Sequence, residues 1–253
     1  MIPSPSRPGH PTHSSRLSSN TSLTAPELQH AVDWAIVSRR SIRSFLPTPV
    51  ERDKLLGILD VARYAASGMN TQPWRVHVLM GAPKQKLSDA ITALHDDGQA
   101  CAGLTEPYHY YPLDWVSPYV DRRRKVGWDL YGLLGIGKND KARMHAQHGR
   151  NYRFFDAPVG LIFTVDRVMQ AGSLMDYGMF LQSVMVAARA RGLDTCPQVA
   201  FTRFHAAIHS ELGIPYSEMV VCGMSLGYAD PASVENSLVT ERESVESFTT
   251  FHE

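Results

Sequence analysis

Cysteine is scarce in this chain: Cys101, Cys196 and Cys222 stand far apart, with no C-x-x-C pair and no even framework. That pattern excludes a disulfide-stapled secreted fold and fits reduced thiols in a cytoplasm. A surplus of either charge is also missing. Lys+Arg and Asp+Glu number 25 each, so the broad positive field that nucleic acid or an anionic membrane requires is absent. Long apolar runs are missing too. The longest in a strand-like context, Pro158–Val165, is too short to span a bilayer. The expectation is a soluble protein with no nucleic-acid or membrane partner.

Several catalytic signatures are lacking as well. There is no G-x-S-x-G nucleophile elbow, and no G-x-G-x-x-G follows a strand. Gly132-x-x-x-x-Gly137-Lys138 nearly spells a phosphate loop, but Asn139 stands where Ser or Thr should bind magnesium, and helical sequence precedes it. His205-x-x-x-His209 has no glutamate between its imidazoles and no third ligand, and His145-x-x-His148 is no better provided. Both pairs read as surface or packing histidines, and no metal is expected.

The 253 residues, 43% hydrophobic, suffice for one large domain or two small ones. Residues 1–26 differ from the rest: 15 of the 26 are Ser, Thr or Pro, none is acidic, and Arg7 and Arg16 are the only charged side chains. Such a stretch buries too little apolar surface to offset its ordering entropy and reads as a disordered tail. It has no apolar core of a secretory signal and no amphipathic pattern of a transit peptide. The folded domain is expected over residues 27–253.

Within it, Thr24-x-x-Glu27 reads as a capping box with Pro26 in the first turn. Leu28, Ala31, Val32, Ala35 and Ile36 follow at helical spacing as an inward face. Glu51–Ala66 reads as a second amphipathic helix with Leu55, Leu56, Ile58, Leu59 and Ala62 inward. Val76–Met80, Pro158–Val165 and Met219–Leu226 read as strands. Helices are expected over residues 84–95 and 121–150, and over Ser173–Arg191, which is apolar nearly all round and ends at Gly192. Residues 98–120 form an irregular loop rich in aromatics: Tyr108, Tyr110, Tyr111, Trp115 and Tyr119. Loops of that length are usually functional or mobile.

What the chain does have is a local concentration of arginine. In Arg39-Arg40-Ser41-Ile42-Arg43, three guanidinium forks surround a hydroxyl, a set suited to a phosphate. Basic residues ending a helix also complement its dipole and need do nothing more. Further on, Ser67-Gly68-Met69-Asn70-Thr71-Gln72-Pro73-Trp74 combines small residues that admit a flat ligand with amides suited to a heterocycle edge.

Taken in order, these pieces resemble the FMN-dependent nitroreductase family. Arg39-Arg40-Ser41-Ile42-Arg43-Ser44-Phe45 matches its R-R-S-x-R-x-F. Ser67–Trp74 matches its S-x-x-N-x-Q-P-W, and Cys222–Pro231 is similar to its G-x-x-L-G-Y-P-D-P. The resemblance covers residues 28–251. It implies an α+β fold with a central mixed, mostly antiparallel sheet flanked by helices. It also implies a homodimer with FMN at the interface and a C-terminal extension onto the partner. Arg39, Arg40, Ser41, Arg43 and the tail's Arg242 would hold the cofactor's phosphate and ribityl chain. Ser67, Gly68, Met69, Asn70 and Gln72 would face the flavin of the other subunit. Pro197, Gln198, Val199 and Ala200 would run along the flavin, with the Ala200 N–H toward N5. Relatives often have a glutamate and a small residue where this chain has Val199-Ala200, and basic residues where it has Leu238 and Thr240.

The implied activity is transfer of hydride from NADPH or NADH through FMN to a nitroaromatic or quinone acceptor, by ping-pong kinetics and without a catalytic side chain. Tyr108, Tyr110, Trp115 and Phe201 would wall the acceptor, and Arg203 would pair with the carboxylate of a nitrobenzoate-like substrate. Reductive dehalogenation, flavin storage without catalysis, and a flavin-free interaction protein are the competing readings.

Overall fold

The computed structural model describes residues 23–253. The Ser/Thr/Pro-rich tail therefore lies, through residue 22, outside the described residues. The folded part begins earlier than expected, because helix α1 spans Ala25–Ser38 and takes in Pro26. Its start is the capping box: the Glu27 carboxylate accepts from Thr24 N at 2.7 Å and Thr24 Oγ1 at 2.8 Å.

Four strands build one sheet: β1 Trp74–Met80, β2 Val159–Asp166, β3 Asp194–Gln198 and β4 Glu218–Gly227. Their order is β1-β2-β4-β3 and every neighbouring pair is antiparallel. The parallel element is an isolated bridge, Ser41 to Thr195, on the free edge of β3. β2 and β4 are central and covered on both faces, which explains their unbroken apolar runs. Leu161 and Phe163 face one core while Ile162, between them, faces the other.

The first core is built against α2 (Arg52–Ala62) and α7 (Gly172–Arg189), with Ile58, Tyr177, Phe180 and Val184 buried in it. Gly192, at φ +72, reverses the chain after α7 as expected. The second core lies under α3 (Gly81–Asp96) and α8 (His205–Leu212), with Leu87, Ile91, Tyr152, Phe154, Phe201 and Phe204 buried. Helix α3 starts at Gly81, three residues before the expected position 84, so Pro83 sits inside its first turn.

Residues 98–120 contain one short helix, α4 (Gly98–Ala102), followed by irregular chain to Pro118. The helix expected over 121–150 is two, α5 (Tyr119–Leu133) and α6 (Lys141–Gly149). Gly135, at φ +62, makes the break, and Asp140 restarts the chain by accepting from Arg143 N at 3.1 Å. Strand β3 escaped the sequence reading because Pro197 sits inside it, tolerated at the sheet edge.

Not every expected inward face is buried. On α1 only Ala35 is, while Leu28, Val32 and Ile36 are exposed, as is Leu56 on α2. Among the described residues, no helix is long and apolar enough to cross a membrane.

Candidate active site

At the end of α1 the backbone turns extended at Arg39 and pairs with the edge of β3, Ile42 N donating to Thr195 O at 3.1 Å. Extended chain sends alternate side chains to opposite sides. Arg39, Ser41 and Arg43 therefore gather at Cys196, whose thiol feels all three. Burial nonetheless pushes that thiol up to about 11, so it stays protonated at neutral pH. The tail brings the charge of Arg242 within reach of Arg39, while its side chain lines a cleft with Arg122 and Lys125 of α5. Burial, and then the Arg242 charge, hold the Arg39 guanidinium below its usual pKa. Thr195 Oγ1, fully buried beside this group, has no hydrogen-bond partner.

Arg40 departs from the expected set. Its Nη1 donates to Asn236 O at 3.1 Å, and its charge acts on Asp194, so it braces the tail. Asn236 is a residue the sequence reading missed. Its side chain accepts from Arg43 N at 2.9 Å and donates to Ser44 O and Asp230 O at 2.8 and 2.9 Å. One buried amide thus fixes the backbone that carries the arginines.

From Arg43 a cleft of about 310 Å³ runs along residues 196–200, closed on the far side by Gly127 and Tyr131 of α5 and by His148 and Asn151. Gln198 offers this cleft its backbone, because its side chain is committed. Nε2 donates to Asn151 O at 2.8 Å, and Oε1 accepts from Ser225 Oγ at 2.7 Å. Burial, then the neighbouring His95 and His145, lower the His148 pKa, so its imidazole is neutral at pH 7. A second cleft of about 500 Å³ adjoins the first and shares Tyr111 and Pro197–Val199 with it. Its roof is the aromatic loop, with Tyr108, Tyr110 and Tyr111, and its floor includes Tyr177, Leu181 and Cys222. Tyr108 is anchored, its hydroxyl donating to Val221 O at 2.5 Å, and burial raises its pKa well above the usual phenol range. Trp115 packs against Tyr111 at 5.5 Å between ring centroids.

Two expected acceptor residues lie elsewhere. Phe201 is wholly buried and stacks on Phe154 at 4.6 Å, so it supports the cleft from behind instead of walling it. Arg203 turns inward, Nη2 donating to Cys101 O at 2.7 Å while Nε is buried without a partner. It sits among His95, His148 and Tyr152 and lines neither cleft.

Residues 67–72 form a separate platform. Gly68 N donates to Asp176 Oδ1 at 3.2 Å, and Gln72 N to Ser67 Oγ at 3.1 Å. Met69, Asn70 and Gln72 all hold positive φ (51, 58 and 46°), a strained backbone for non-glycine residues and a frequent mark of ligand contact. Met69 is 98% exposed, and the loop lines neither cleft of its own chain.

The histidines are largely packing groups. His95 stacks on His145 at 4.0 Å and 4°, and His209 Nδ1 lies 3.0 Å from Ile214 O. His95, Asp96 and His145 bring donor atoms within 4.8 Å of one another. Two imidazoles stacked in parallel, however, cannot both hold a cation in their ring planes. Lys138, from the near-miss phosphate loop, lies over the Trp128 ring at 5.4 Å.

An arginine at one end of a cleft, a backbone-lined floor and an aromatic roof make a space suited to a flat group against a sheet edge. The family model of the nitroreductase family matches residues 36–228. The chain belongs to that family. It is 47% identical over 219 residues to the 4-nitrobenzoate reductase of Pseudomonas putida, covering 87% of this chain and 94% of that protein. It is 42% identical to the nitrobenzene nitroreductase of Ectopseudomonas oleovorans, covering 87% and 96%. Among solved structures, the FMN and NADPH-dependent nitroreductase NfnB from Sphigopyxis sp. strain HMH superimposes with a TM-score of 0.84 at 35% identity, over 88% of this chain and 99% of that one.

Proposed function

We propose that this protein is an FMN-dependent oxidoreductase that uses NADPH to reduce nitroaromatic compounds. One observation carries the reading. Arg43 lines the end of the cleft, the charges of Arg39 and Arg43 both act on Cys196 there, and that of Arg242 reaches Arg39; none of the three has a carboxylate partner among the described residues. Like charges gathered in this way call for an anion of more than one charge. The orphaned Thr195 hydroxyl fits the same group.

In this reading Arg39, Ser41, Arg43 and Arg242 hold the FMN phosphate, and the backbone of Pro197, Gln198, Val199 and Ala200 lies along the ring. Bound there, FMN supplies a two-electron carrier between a reduced nicotinamide and a stacked acceptor. The protein's part is to bind, orient and exclude water. Tyr108 is tied to a carbonyl and His148 is neutral, so neither is poised as a strong acid. The aromatic roof gives an aromatic acceptor faces to stack on.

We also propose a homodimer, in which Ser67, Gly68, Met69, Asn70 and Gln72 meet the partner's cofactor. Support comes from apolar side chains left in water. Val37 is 81% exposed on α1, Met175 72% on α7, and Phe251 80% in the tail. Scattered apolar exposure is ordinary, but a helix whose apolar stripe is uncovered save for Ala35 is not. The unpaired thiols accord with a cytoplasmic setting.

The test is direct. The purified protein is expected to be yellow and to release FMN on denaturation. Anaerobic NADPH should bleach it, and a nitroarene should restore the colour. A protein that takes up no FMN, or whose flavin neither nicotinamide reduces, overturns the proposal. Sedimentation equilibrium is expected to give twice the 28.1 kDa of the chain, and a monomer at micromolar concentration would remove the dimer.

A further inference from the structure

Helix α5 carries four consecutive cations, Arg122-Arg123-Arg124-Lys125, and they are not equivalent. Arg122 pairs with Glu243 of the tail at 2.8 Å. Lys125 pairs with Asp129 at 2.8 Å and Glu241 at 3.5 Å. These two dock the C-terminal segment. Arg123 has no ion pair and no side-chain hydrogen bond among the described residues. Its guanidinium instead lies over the indole of Trp115, 4.8 Å from the ring centroid. Contact with an aromatic face leaves the positive charge intact.

Its position is informative. Gly127 and Leu130, four and seven residues on and so on the same face of α5, line the cleft that Arg43 closes. Trp115 touches Tyr111, and Tyr111 lines both clefts. The Arg123 charge reaches that tyrosine: burial and Tyr110 raise the Tyr111 phenol pKa, and Arg123 opposes them. An unpaired arginine thus stands on Trp115, one ring behind the Tyr111 that lines both clefts.

We propose that Arg123 is the anion receptor of the acceptor site and pairs with the carboxylate of a nitroaromatic acid whose ring stacks in the aromatic cleft. This rests on the nitroreductase reading above. Arg203, the arginine that the sequence suggests for this task, is turned into the protein and occupied by the Cys101 carbonyl. A planar guanidinium matches a carboxylate in a way that an ammonium does not, so lysine is expected to substitute incompletely.

The test uses FMN-loaded protein and steady-state kinetics with 4-nitrobenzoate and nitrobenzene, each with NADPH and NADH. Arg123→Gln is expected to lower the ratio of kcat/KM for 4-nitrobenzoate over nitrobenzene roughly ten- to hundredfold, chiefly through KM, as for a lost hydrogen bond to a charged group. Arg123→Lys should recover part of the ratio, and Arg124→Gln should keep the wild-type ratio. Equal losses on both acceptors would reduce Arg123 to a structural support of Trp115 and overturn the proposal. An unchanged ratio would also overturn it, as would a rise in KM confined to NADPH, which would assign the arginine to the dinucleotide phosphate. If the wild-type protein reduces neither acceptor, the nitroreductase reading itself fails and this inference falls with it. If wild type reduces both and only the ratio test fails, the parent reading stands.

Discussion

Arg39→Gln is expected to weaken FMN binding roughly ten- to hundredfold while leaving the FMN-free protein as stable as wild type, or more so. Both halves follow from the same geometry. The guanidinium is partly buried, next to Arg242 and without a carboxylate partner, and both surroundings disfavour its charge. Removing it relieves repulsion in the empty protein. With FMN bound, the same charge faces a phosphate, and a charge-assisted hydrogen bond of that kind is lost with the side chain. An arginine kept for packing or for a helix dipole would behave oppositely, losing stability with no effect on the ligand. The measurement is a flavin-fluorescence titration at low and high salt beside thermal melts with and without FMN. Wild type should gain about 2.7 kcal/mol of stability at a hundredfold excess over Kd, and the variant should gain less at the same concentration. A destabilised empty protein with unchanged FMN affinity would sink the clamp assignment.

Arg40→Gln supplies the contrast one residue away. It removes the hydrogen bond to Asn236 O and a favourable charge near Asp194. Its effect should fall on the docking of the tail and on stability, with the direct phosphate contacts left in place. The alternation of extended chain separates the two neighbours, and a pentapeptide read as one basic cluster conceals that separation.

That case shows what the sequence made legible. Residue type and order identify the clamp, the platform at residues 67–72 and the aromatic loop, because each needs particular side chains or small residues at fixed spacing. The central strands were readable for a different reason: burial on both faces leaves unbroken apolar runs in β2 and β4. The misses share a cause, namely that they depend on partners distant in sequence. Asn236 is an ordinary tail amide until Ser44, Asp230 and Arg43 surround it. Arg123 is one of four cations in a row until Arg122 and Lys125 find carboxylates and it settles over Trp115. The stripe on α1 has helical spacing, but spacing does not say what will cover it. Arg203 and Phe201 follow the cleft-lining segment closely, yet residues 199–204 form a helical turn that sends them into the protein.

The place of Phe201 leads to the largest expected loss of stability. Gly223 of β4 lies beneath its ring, and a Cβ there would come within 2.4 Å of Phe201 Cδ2 and 2.8 Å of Cε2. Gly160 of β2 lies in the same way beneath Phe154, the ring on which Phe201 stacks. The ring cannot swing aside freely, because Phe154 covers it and Tyr152 meets its edge at 5.9 Å. Gly223→Ala is therefore expected to destabilise the protein by about 3 kcal/mol, at the upper end for an overpacked core. Phe201→Ala, which leaves a cavity instead, should cost a similar ~3–5 kcal/mol. The double variant Gly223→Ala/Phe201→Leu should be less destabilised than the sum of its two single changes, since the smaller side chain makes room for the new methyl. Urea unfolding of the set would measure this, and strict additivity would show that the two sites do not press on one another. A functional loss should accompany the structural one. Phe201 follows Ala200 directly, so a ring driven outward moves the backbone that lines the cleft, and FMN affinity should fall although no residue in contact with the cofactor has been changed.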